Sequence, residues 1–261
     1  MLKISVISVQ PKMFEGFLTE SILARAVKKG ACEIDIVDLR QFGEGRWRKV
    51  DDKPYGGGPG MLMMCGPWFA AVEAWVGDWG TADAKAMAVE SGNGLPAEAL
   101  AKAGERGTGD GERGTGTRIV MTSPAGRKFT QRDAESLASA ENVVFMCGHY
   151  EGFDARIETL ATDIFSVGDF VMTGGELAAA AMVDATVRLL PGVLGGGPAA
   201  TSSESFGREG LLEAPQYTHP PEFRGMKVPD VLLSGDHAKI ESWKKSEARR
   251  LTAERRPDLA V

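Results

Sequence analysis

The tightest constraint on the fold is an alternation of strand-length apolar runs with stretches of helical spacing. Residues 3–9 alternate apolar and small polar side chains around Ile4, Val6, Ile7 and Val9, which is the pattern of a strand. Phe17, Leu18, Ile22, Leu23, Ala26 and Val27 then recur at helical spacing, and Lys28-Lys29-Gly30 ends that helix with a cationic turn and a glycine. A second strand is read over 32–39, a helix over 67–76, and buried strands over 118–122 and 143–147. The last two flank a helix that opens at Thr130. This alternation predicts an α/β fold with a mostly parallel sheet flanked by helices.

At 261 residues the chain has room for one large domain or two modest ones. A helix read over 176–190 ends at Pro191-Gly192, and the small, polar stretch 195–207 reads as a flexible linker. Past several prolines comes a polar, helix-compatible stretch over 236–256, anchored by Ile240, Trp243 and Leu251. The expected organisation is therefore a domain over 1–194 and a small helical domain over 208–261. Residues 91–116 interrupt the first domain with a direct repeat, Gly-Glu-Arg-Gly-Thr-Gly, at 104–109 and again at 111–116. It is apolar-free and reads as a low-complexity surface insertion. Gly109, Gly111 and Gly114 there satisfy G-x-G-x-x-G, but the motif precedes a strand instead of opening a helix, so it is read as coincidence.

Several function classes are disfavoured by composition. The longest apolar run, 177–183, is far short of the ~20 residues of a membrane span, and the N-terminal residues read as a strand, not a signal peptide. A soluble, cytoplasmic protein is expected. Cys32, Cys65 and Cys147 are odd in number and widely separated, so reduced, buried thiols are expected. The three histidines have no metal-ligand spacing. The net charge of −6 counts against a nucleic-acid partner, but it is unevenly distributed. Residues 222–261 hold nine Lys/Arg against seven Asp/Glu, leaving a basic tail on an acidic remainder.

Glycine-bearing turns stand out as places for chemistry. One is Asp51-Asp52-Lys53-Pro54-Tyr55-Gly56-Gly57-Gly58-Pro59-Gly60-Met61, which lacks the Gly-Lys-Ser/Thr of a P-loop. The second, Cys147-Gly148-His149-Tyr150-Glu151-Gly152, ends a strand, as does Met121-Thr122-Ser123-Pro124-Ala125-Gly126. The third, Val167-Gly168-Asp169-Phe170-Val171-Met172-Thr173-Gly174-Gly175-Glu176, opens an alanine-rich helix, and Thr173 with Glu176 matches a capping box. Turns at strand ends predict one cleft built mainly of backbone, suited to a flat, polar, nucleoside-like ligand.

Taken in order, these segments closely resemble the bacterial tRNA (guanine-N1)-methyltransferases of the TrmD type, in the SPOUT superfamily. The likeness runs through Pro11-Lys12-Met13-Phe14, the glycine loop 52–61, Ser123 to Arg127, the motif at 147–152, residues 167–176 and 188–194, Leu211 to Thr218, and Val231 to His237. It implies a deep C-terminal trefoil knot in the first domain, an exception to the rule against threaded loops. It also implies a homodimer with composite active sites, a C-terminal domain that helps bind tRNA, and methyl transfer from S-adenosyl-L-methionine to N1 of guanine 37. By motif, Met121, Thr122, Ser123, Pro124, Gly126, Gly148, Tyr150, Glu151, Val167, Gly168, Asp169, Phe170, Val171 and Met172 would hold the methyl donor, closed by Gly174 and Gly175. Glu204 would be the general base, in a place where family members commonly have aspartate. Arg188 would stabilise charge on guanine O6. A Mg2+ requirement is compatible with the resemblance, but no pattern in the sequence locates it.

The chain departs from the family pattern at His149 and His219, where arginine is usual, and at Ala125, where glutamine is common. Two alternatives follow. One is a sibling SPOUT methyltransferase acting on another RNA nucleoside, against which the Glu204–Arg188 pair argues. The other is a non-catalytic RNA-binding or dimeric scaffold.

Overall fold

A computed structural model of the chain describes residues 1–78, 116–195, 201, 204–207 and 209–259. The direct repeat and its glycine triad fall outside the described residues, apart from Gly116. The chain divides into two compact units, Met1–Leu194 and Gly195–Val261.

The first unit is built on a five-stranded sheet. Its strands are β1 (Leu2–Ser8), β2 (Cys32–Asp38), β5 (Thr117–Lys128), β6 (Asn142–Cys147) and β7 (Asp163–Ser166), ordered β2-β1-β6-β5-β7. Every pairing is parallel. Asp51–Asp52 (β3) and Leu62–Met63 (β4) form a separate antiparallel pair. Among the described residues, the helices of this unit are α1 (Glu15–Thr19), α2 (Ser21–Lys28), α3 (Cys65–Asp78), α4 (Gln131–Ala138) and α5 (Glu176–Val187).

Period-two alternation sorts the strand side chains into two cores. Leu2, Ile4 and Val6 of β1, with Val143, Phe145 and Cys147 of β6, face Leu23 and Ala26 of α2 and Ala179, Met182 and Val183 of α5. Ile7, Val144 and Met146 face the other way, toward Trp68, Ala71, Val72 and Val76 of α3, which recur at helical spacing. A sheet covered on both faces buries its central strands completely. The small polar residues of β1 are buried with the rest, and Ser5 and Ser8 have no exposed surface. Burying a side chain such as Phe145 contributes about 1.5–3 kcal/mol.

Two further differences bear on the site. The first is β7, which the sequence pattern did not reveal. It begins at Asp163, whose carboxylate accepts from Arg118 Nε at 2.8 Å and from the Thr162 hydroxyl at 2.7 Å. That pairing lets a charged residue sit 7% exposed at a strand end. The second is β5, which does not stop at Thr122. Its register shifts between Thr122 and Arg127, and Arg127 and Lys128 then rejoin β7 opposite Phe165 and Ser166. Residues 123–126 are the slack between those two pairings.

In the second unit, α7 (His237–Arg255) follows the short α6 (Asp230–Leu233). The Asp236 side chain caps α7 by accepting from Lys239 N at 3.1 Å. Leu251 is buried, and Thr252 Oγ1 accepts from Leu212 N at 2.9 Å.

Candidate active site

The carboxyl ends of β6, β5 and β7 lie side by side, and the turn that follows each strand, or in β5 interrupts it, converges on one cavity of about 350 Å3. In parallel sheets that is where ligands bind. Met121, Thr122, Ser123 and Pro124 line it from β5, Gly148, Tyr150 and Glu151 from the turn after β6. Val167, Phe170, Val171, Met172, Gly174 and Gly175 complete the set from the turn after β7. Gly126, Gly168 and Asp169 do not line it. Gly126 packs so tightly on β7 that a Cβ would lie 2.6 Å from the Ile164 carbonyl carbon. Gly168 exchanges hydrogen bonds with the Ser166 hydroxyl, and Asp169 pairs with Lys128 at 2.7 Å on the surface.

The wall is backbone held at close range. Gly175 N–H donates to Gly148 O at 2.7 Å, and His149 pairs with Gly174 as an antiparallel bridge. Beneath them the Thr122 hydroxyl donates to Met146 O at 3.1 Å and accepts from Gly148 N at 3.4 Å. A side chain on Gly175 would place its Cβ 2.0 Å from that hydroxyl, so the position has no room for one.

The capping box expected from Thr173 and Glu176 is not formed. Gly175 is the N-cap of α5, and Glu176 turns inward, 1% exposed. One of its carboxylate oxygens accepts from the Ser8 hydroxyl at 2.7 Å, and the other lies 3.8 Å from His149 Nδ1. A buried carboxylate in the first turn of a helix is favoured by the exposed N–H groups there. Ser8 and His149 compete for it more effectively than the backbone does. His149 Nδ1 is buried without a hydrogen-bond partner among the described residues, and it is aimed at this carboxylate.

The rim is fixed by the glycine loop. Glu151 N donates to Met61 O, Met63 N to Gly152 O and Asp154 N to Met63 O, at 2.9–3.1 Å. Tyr150 sits in the left-handed region with φ at +57°. Burial, then the charge of nearby Asp51, pushes its phenol above the ordinary value. Phe153, Glu158 and Phe165 also line the cavity, as does His149, which the sequence marks only as a departure from the family pattern. His149 lies inside the turn 147–152, whereas Phe153, Glu158 and Phe165 lie outside all of the glycine-bearing turns.

Arg188 is the half-buried C-cap of α5, its N–H bonded to Asp184 O at 3.2 Å, and it is not a lining residue. Glu204 belongs to the second unit, where its carbonyl accepts from Gly207 N at 3.0 Å. None of the thiols is arranged as a nucleophile. Cys32 and Cys147 are buried, and Cys65, only partly buried, is pushed up to about 11 by burial and then by Asp154. Among the described residues no cluster of His, Cys, Asp or Glu could hold a metal ion, and no helix is long and apolar enough to cross a membrane.

Comparison with known proteins is consistent end to end. Residues 2–101 and 78–261 match the family model described as tRNA (Guanine-1)-methyltransferase TrmD. The chain is 45% identical over 258 residues to the tRNA (guanine-N(1)-)-methyltransferase of Shouchella clausii, spanning 99% of this chain and 91% of that protein. Against the enzyme of the same name from Thermus thermophilus it is 44% identical over 260 residues, spanning 100% and 92%.

Proposed function

The chain belongs to the TrmD family of tRNA (guanine-1)-methyltransferases, and from that premise we propose that it transfers a methyl group from S-adenosyl-L-methionine to N1 of guanine 37 in tRNA. The observation that carries this reading is the cavity at the ends of β5, β6 and β7. Its volume of about 350 Å3 suits a nucleoside-sized ligand, and its walls combine backbone with the carboxylates of Glu151 and Glu158. Those acids complement the positive charges of the donor, which when bound supplies a methyl group already activated on a sulfonium.

This chain's residues would then do the following. The loops around Gly148, Gly174 and Gly175 hold the donor's flat base against backbone groups. Glu204 accepts the N1 proton of guanine as N1 bonds to the methyl carbon and the carbon–sulfur bond breaks, leaving a neutral thioether. Arg188 offers its guanidinium to the negative charge that develops on O6. The close passage of Gly175 past Thr122 and Gly148 supports a knotted arrangement of the loops. Exposed Phe170, Val171 and Leu177 support a homodimer through this face. No residue is assigned to Mg2+, and action on tRNA supports a cytoplasmic protein.

The test is mass spectrometry of tRNA after incubation with the protein and the methyl donor. The expected product is 1-methylguanosine at position 37; a ribose methyl or another base would overturn the reading in favour of a sibling enzyme. Glu204→Gln should lower turnover by about 10²–10⁴-fold, with donor binding by calorimetry unchanged. Arg188→Ala should lower it about 10²-fold. Full activity in either variant removes that residue from the mechanism.

A further inference from the structure

Outside the cavity, the most distinctive surface feature is the tip of the hairpin 44–49. Glu44 and Lys49 exchange backbone hydrogen bonds at 2.8 and 2.9 Å, and Arg48 N closes the turn on Gly45 O at 3.2 Å. The base of the hairpin is sealed, since a Cβ on Gly43 would lie 2.3 Å from the Arg48 carbonyl. Glu44 braces it against α3, where a Cβ on Gly66 would lie 2.4 Å from Glu44 Oε1. This small, closed loop carries an indole that is 85% exposed, Trp47, with the Arg46 guanidinium 5.6 Å from its ring centroid. Lys49 is paired with Asp52 at 2.9 Å, but among the described residues neither Arg46 nor Arg48 has an ion-pair partner.

A tryptophan that exposed gains nothing for the fold from its own burial. On a chain of net charge −6, two unpaired arginines beside it form a local exception in sign. An exposed ring flanked by cations is the chemistry that takes up an unpaired nucleotide, by stacking on the base and by charge on the phosphates. A rigid tip keeps the entropy lost on binding small.

We propose that this hairpin is an RNA-binding element separate from the cavity, in which Trp47 stacks on an unpaired base of the substrate tRNA while Arg46 and Arg48 hold its phosphates. The inference rests on tRNA being the substrate. Trp47→Ala should raise the KM for tRNA about 5- to 100-fold, with kcat and the KM for the methyl donor unchanged, and Trp47→Phe should recover most of the loss. Arg46→Ala with Arg48→Ala should flatten the dependence of log Kd on log salt by about 1–2, as expected for two lost phosphate contacts. An unchanged KM for tRNA in Trp47→Ala would overturn the proposal. So would a shift of that variant toward monomer in sedimentation, which would give Trp47 to a contact between two copies of the chain. If the wild-type protein methylates no tRNA, the functional reading fails on its own. The hairpin is then decided by fluorescence anisotropy with labelled tRNA, where equal affinities of wild type and Trp47→Ala overturn it and weaker binding supports it.

Discussion

Gly58 and Gly175 occur in runs that look alike in the sequence, yet the molecule needs them for opposite reasons. Gly58 lies in open space at φ +122°, with nothing within 4 Å of where a Cβ would be. Gly175 lies at φ −84°, a value open to any residue, but a Cβ there would meet the Thr122 hydroxyl at 2.0 Å and Gly148 N at 2.9 Å. One glycine is required by the path of its own backbone and the other by its neighbours. The glycine loop is thus shaped from within, whereas the cavity wall is shaped by contact between turns far apart in the chain.

Gly175→Ala tests the contact side and should have the largest effect. Thr122 is only 5% exposed and its hydroxyl serves two bonds, so it has little freedom to yield. We expect at least about a tenfold loss of donor affinity, with about 1–3 kcal/mol of stability. Thr122→Ala in the same chain should recover part of both by removing the nearest atom, and calorimetry on the four proteins of that cycle measures the coupling. Additive effects would mean that Gly175 is not held by Thr122.

Gly58→Ala tests the other side. It should cost about 1–3 kcal/mol through backbone strain, read as a lower unfolding midpoint in denaturant, because φ +122° lies outside the left-handed region that other residues visit. Donor affinity should not change, since residue 58 does not line the cavity. Donor binding that weakens as much as in Gly175→Ala would dissolve the distinction between the two regions.

The same contrast explains what could be read in advance. Strands β1, β2, β5 and β6 were legible because Ile4, Val6, Val143 and their neighbours carry the pattern locally. β7 was not, because its four residues start with an aspartate whose compensation, Arg118, is 45 positions away. The turns of the cavity were legible as motifs, and so was the lining those turns themselves supply; the lining that comes from outside them was not. Phe153, Glu158 and Phe165 reach it only because β6 and β7 end beside β5. Glu176 shows the limit most clearly. Its spacing from Thr173 suggested a cap, and the choice was made instead by Ser8, 168 residues away. Local periodicity is written in consecutive residues, whereas a partner across the sheet leaves no mark near the residue it captures.

A third kind of hold, by charge, secures the turn at 123–126 and should give the smallest effect. Arg127 donates to Asp133 at 2.9 and 2.5 Å, and the Thr130 N–H and hydroxyl donate to the same carboxylate at 2.9 and 2.7 Å. Burial alone would raise the Asp133 carboxyl, but Arg127 and Thr130 outweigh it and hold it below its ordinary value. A carboxyl depressed in the folded state stabilises the fold above its unfolded pKa of about 3.9. That contribution is lost as pH falls toward the folded value. With the Arg127 side chain 40% exposed, solvent screening limits the pair to about 1 kcal/mol. Asp133→Asn should therefore lower the unfolding free energy by about that much at pH 6–8, with the gap to wild type narrowing below pH 4. A gap that stays constant down to pH 3 would show that the turn is held by shape, as the Gly175 wall is, and not by this charge.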